Sequence, residues 1–84
     1  MKLWEYLDKQ VSAVTIDGGK AKGFVYMHIP ADENMEDVGK FADSILIDDG
    51  VGLVEMYEDE IVNIEIISET AYSEHDKPRQ AVAA

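Results

Sequence analysis

Between Val11 and Ile67 the apolar residues return at every second position, in short runs separated by turn-forming residues. Side chains on a β-strand point to alternate faces, so this period commits the chain to a sheet with separately covered faces. "VSAVTID" reads as a strand, "DGGK" as a hairpin turn supplied with glycine, and "KGFVYMHIP" as the returning strand, ended by Pro30. "DSILIDDG" resumes the alternation with Ile45 and Ile47 opposed to Leu46, and "DDGVG" turns the chain again. Val54 and Met56 then alternate on the way in, and Val62, Ile64 and Ile66 on the way out.

Two segments depart from that period. Leu3, Trp4, Leu7 and Val11 recur at helical spacing, which predicts a short amphipathic helix over 2–10 anchored by Trp4. "ADENMEDVGKFA" reads as an acidic loop with room for one helical turn through Val38 and Phe41. In the second strand Val25, Met27 and Ile29 share one face and Phe24, Tyr26 and His28 the other, so both faces need cover. Met27 joins Trp4 as an expected core anchor. The domain is expected to span 1–67, and 68–84, which has no sustained period, to form a poorly ordered tail.

A chain of 84 residues buries a thin core. The absence of cysteine removes disulfides, thiolate zinc sites and thiol catalysis, leaving oligomerisation as the available staple. With 18 acids against 7 Lys and Arg the net charge is −11, which opposes phosphate binding and favours basic proteins or cations. No apolar run is long enough to span a bilayer, and charge interrupts "MKLWEYLDKQ" as a signal core, so a soluble cytoplasmic protein without membrane association is expected.

If the strands form a meander, "DGGK" and "DDGVG" share one end of the sheet. The acidic loop and "YEDE", residues 57–60, then share the other, gathering Asp32, Glu33, Glu36, Asp37, Glu58, Asp59 and Glu60 on one rim. A short N-terminal helix, a strongly bent five-stranded antiparallel sheet and a last turn before "IVNIEII" together resemble the Sm and Sm-like proteins over residues 3–67. The family's first motif has a glycine in the second strand, then an acid, two free positions, Met and Asn. Gly23, Asp32 and Met35 match it, while Glu36 replaces the Asn. Of the second motif, Arg-Gly-Asp/Asn, "YED" keeps only Asp59.

The resemblance implies a mostly β, Sm-like barrel whose copies pair fourth strand to fifth strand in a homo-oligomeric ring of about five to seven subunits. It further implies single-stranded RNA or DNA as ligand, held at loops that here carry Asp43, Ser44, Tyr57 and Asp59. In that reading Tyr57 stacks on a base and Asp59 accepts a hydrogen bond from one. Lys20 and Lys22, beside "DGGK", are the phosphate-contact candidates in the folded part, and Lys77 and Arg79 add cations in the tail. The alternative for "YEDE" is a charged turn that keeps a strand edge soluble. The alternative for the whole chain is a protein-interaction ring whose acidic rim binds a basic partner.

Other chemistries find little support. Asp32, Asn34 and Glu36 have the spacing of an EF-hand's first ligands, but Asp37 stands at the required glycine and Asp43 at the required glutamate, so no metal is expected. His28 shares a strand face with Phe24 and Tyr26 and reads as a packed or interface histidine. With no nucleophile triad, phosphate loop or zinc spacing, neither an enzyme nor a cofactor is expected.

Overall fold

The computed structural model describes residues 2–68. A 3-10 turn, η1 (Leu3–Tyr6), leads into β1 (Gln10–Thr15) and β2 (Lys20–Ile29). Helix α1 (Ala31–Val38), β3 (Ser44–Asp48), β4 (Leu53–Tyr57), a second 3-10 turn η2 (Glu58–Glu60) and β5 (Ile61–Ser68) follow. The strands form one five-stranded antiparallel sheet in the order β4-β3-β2-β1-β5. The molecule is therefore mostly β, as the alternation required. Among the described residues no helix is long and apolar enough to cross a membrane.

The first four strands are a meander, but β5 pairs with β1 rather than β4. In a flat sheet, four strand spacings would separate β4 from β5 by about 19 Å. The four peptide steps from Tyr57 to Ile61 span at most about 14 Å even when extended, and η2 coils them. The sheet must bend strongly for the chain to make this connection. Among the described residues it does not close into the expected barrel, however, because no ladder joins β4 to β5 and these strands are its two edges.

The bend has a local cause at Gly23. A Cβ there would lie 2.1 Å from the Asp48 carbonyl oxygen, so only glycine lets β2 fold this closely over the end of β3. Both hairpin turns are built by aspartates. Asp17 Oδ1 accepts a hydrogen bond from Gly19 N–H, and Asp49 Oδ1 accepts from Val51 N–H and Gly52 N–H. These bonds hold both carboxyls below their usual range: the Thr15 hydroxyl is the largest influence at Asp17, and Gly52 N–H at Asp49.

The core consists of Leu3, Val11, Ala13, Ala21, Val25, Ile45, Ile47, Met56 and Ile61. Its plug is Leu3, not Trp4, which is 54% exposed. A 3-10 turn repeats every three residues, so Leu3 and Tyr6 face the core together while Trp4 and Leu7 face out. The expected helix over 2–10 stops at Tyr6 because Leu7 is extended and Asp8 adopts a left-handed φ of 66°. The second expected anchor, Met27, is exposed for a different reason. A register shift between Val25 and Met27 inserts a bulge into β2, so the alternation changes phase and His28, opposite Ile45, turns toward the core.

The segment read as an acidic loop is helix α1. Pro30 caps its start, Asp32 and Glu33 occupy the first turn where the helix dipole favours acids, and Gly39, at φ 76°, ends it. Strand β5 runs through Ser68, one residue past the expected domain end, and the tail's Lys77 and Arg79 lie outside the described residues.

Candidate functional site

Where α1, the start of β3 and η2 meet, Asp43 ties three elements together. Its Oδ1 accepts the Ala31 N–H at 2.9 Å, at the start of α1, and its Oδ2 lies 2.8 Å from His28 Nε2 at the end of β2. Its backbone carbonyl accepts the Glu58 N–H at 2.8 Å, which fixes the start of η2. Trp4 packs edge-on against His28, with ring centroids 6.3 Å apart. Asp43 thus organises the rim from beneath.

Ser44 follows Asp43 into the interior and is fully buried. Its hydroxyl donates to Glu55 Oε2 at 2.8 Å and accepts from Asn34 Nδ2 at 3.0 Å, while Asn34 also donates to the Ala42 carbonyl at 2.8 Å. Asn34 is the one buried residue of α1, so this polar network fastens the helix to the sheet.

Tyr57 and Asp59 do converge at the surface, brought together by Lys40. The Lys40 ammonium sits 4.4 Å from the Tyr57 ring centroid, 3.2 Å from Asp59 Oδ1 and 2.9 Å from Glu60 Oε2. The hydrogen bond to Glu60, with Asp59 adding, raises the Lys40 pKa and keeps it a cation. Burial and the Glu55 carboxylate push the Tyr57 phenol up, so it remains neutral at physiological pH. Between Lys22 and Lys77 the sequence contains no other Lys or Arg. That isolation amid acids was the available signal for Lys40, and the sequence reading did not use it.

Beside this cluster lies an open groove of about 460 Å³ lined by Ala31, Phe41, Ala42, Asp43, Glu58 and Asp59. Its apolar walls are Phe41 and the two alanines, and its mouth carries the carboxylates of η2. The groove lies between the start of α1 and η2, and of the acids expected on one rim it brings together Glu58 and Asp59, while Asp32, Glu33, Glu36 and Asp37 lie along α1. Lys20 and Lys22 are exposed at the first and third positions of β2, paired opposite Val14 and Ser12, and join none of these contacts. Among the described residues no three His, Asp or Glu side chains gather as a metal site.

No protein-family model, curated protein or solved structure matches this chain.

Proposed function

We propose that the protein is an Sm-like subunit whose copies join β4 to β5 in a ring of about five to seven, and that the ring binds a protein partner at its acidic end. The observation that carries the reading is that, among the described residues, β4 and β5 each have a strand ladder on one side only. Each edge strand exposes backbone donors and acceptors, and each bears exposed apolar residues: Leu53 on β4, and Val62, Ile66 and Ile67 on β5. Long apolar edges are a hazard that proteins usually blunt, and repeated head-to-tail pairing covers both at once. The Gly23 bend supports the same reading, since the resemblance places a glycine in the second strand.

A protein partner fits better than nucleic acid because Asp43 and Ser44 have their side-chain bonding engaged inside the molecule and the rim carries surplus negative charge. A second reading, single-stranded nucleic acid at the same rim, is favoured by Lys40 against Tyr57, a cation-aromatic pair of the kind that stacks bases.

Edge complementation tests the assembly. Leu53→Lys spoils only the β4 edge and Ile66→Lys only the β5 edge. Each variant alone should fall to the 9.4 kDa of one chain, and an equal mixture should stop at twice that mass, joined through the two intact edges. Single variants that keep the wild-type oligomer would remove the β4-to-β5 contact. Fluorescent oligouridylate separates the second reading: affinity that falls steeply with salt supports it, and no binding at low salt sinks it.

A further inference from the structure

Helix α1 carries its acids and its apolar residues on different faces. At 100° per residue Ala31, Met35 and Val38 form one stripe, while Asp32, Glu33, Glu36 and Asp37 lie away from it. An amphipathic helix usually buries its apolar stripe, but here Met35 is 52% exposed and Val38 62%. The stripe begins at Ala31, which also lines the groove, and across that groove stands Phe41, 72% exposed. The uncovered stripe and the groove therefore form one continuous surface.

We infer that this surface docks an amphipathic, lysine- or arginine-bearing segment of a partner protein, an inference that rests on the protein-interaction reading above. The charge around it selects the occupant. Asp32 and Glu36 lie along one side of the stripe and Glu58 and Asp59 line the groove, and the neighbouring Lys40 supplies one ammonium to the two carboxylates of Asp59 and Glu60. A nucleic acid would bring charge of the same sign, and in the proposed ring a second copy meets the edges of β4 and β5 rather than this surface. A basic segment instead lays the aliphatic stems of its cations along Phe41, Ala31 and Ala42 and places the heads against η2, while its apolar positions cover Met35 and Val38.

The probe is a fluorescein-labelled synthetic helix of leucine at helical spacing and lysine elsewhere, titrated by anisotropy against the full chain. A peptide of the same composition with scrambled spacing serves as the comparison. The amphipathic peptide should bind at least tenfold tighter than the scrambled one, and Phe41→Ser or Met35→Ser should each weaken it about tenfold. Joint Glu58→Gln and Asp59→Asn substitution should weaken it and flatten its salt dependence. Glu5→Gln, an exposed acid on η1, should leave affinity unchanged.

Equal affinity for both peptides, or no effect of Phe41→Ser, would overturn the inference in favour of general attraction to an acidic chain. A fall in oligomer mass on Phe41→Ser with peptide affinity unchanged would also overturn it, by making the stripe a contact between copies. Measuring mass on the same samples separates the two claims. A monomer that binds the peptide removes the ring alone, and a ring that ignores the peptide removes this docking surface alone.

Discussion

Asp43→Ala discriminates most sharply between an aspartate that organises the rim and one that awaits a ligand. The substitution removes the bond that Ala31 N–H donates to Oδ1 at 2.9 Å and the 2.8 Å contact of Oδ2 with His28 Nε2. Losing the bond at a helix start costs about 1 kcal/mol. A hydrogen bond to a charged group is worth about 1.5–3 kcal/mol when sheltered. The His28 and Asp43 side chains are 16% and 19% exposed, so the lower end of that range applies. The sum is about 2–3 kcal/mol, or a drop in Tm of about 10 °C or more for a domain this small. Asp43→Asn keeps an acceptor for Ala31 and should lose about 1 kcal/mol. Urea unfolding at fixed protein concentration, followed by the fluorescence of Trp4 beside His28, measures both variants. An Asp43→Ala protein within about 0.5 kcal/mol of wild type would refute the organising role.

Gly23→Ala places a Cβ 2.1 Å from the Asp48 carbonyl oxygen and should cost more than about 3 kcal/mol or prevent folding, read by circular dichroism and urea midpoint. Lys40→Met breaks ion pairs whose carboxylates are open to solvent and should leave the urea midpoint close to that of wild type. It should also push the Tyr57 phenol further up in a spectrophotometric titration, because the ammonium favours the phenolate. Asp17 and Asp49 titrate lower folded than unfolded, so their turns stabilise the protein above the ordinary carboxylate pKa and lose that contribution as pH falls through the folded values. Asp49→Ala should therefore make stability less sensitive to acid, measured as urea midpoints across an acid series.

The strands were legible because a half-buried strand writes its two faces directly into the sequence, as Ile45 and Ile47 do around Leu46. The two hairpin turns were legible because Asp with Gly is the chemistry such turns demand. Period-two alternation does not record which strand pairs with which, and so β5's place beside β1 was not readable. Nor does it record a bulge: the phase change after Val25 turns His28 inward to a half-buried position and exposes Met27, although both fit an unbroken strand. Helix α1 was hidden for the opposite reason. Its caps, Pro30 and Gly39, were present, but its apolar stripe is short and is interrupted by Asn34, whose burial depends on partners at Ala42 and Ser44 far from it in the pattern. The rim was legible as a concentration of acids. That Asp43 and Ser44 turn inward, and that Lys40 gathers Tyr57, Asp59 and Glu60, depends on contacts across about 10–20 residues that spacing alone does not encode.

Ring assembly through the two open edges is the central claim, and absolute mass in solution, by light scattering behind a sizing column, tests it most directly. It is measured at low and high salt, because each added copy brings a charge of −11 whose repulsion salt screens. A single species of about five to seven chains, persisting or sharpening as salt rises, is the predicted result. A mass of 9.4 kDa at every salt concentration would contradict it, and Glu58, Asp59 and Glu60 would then be a charged turn that keeps a monomer soluble.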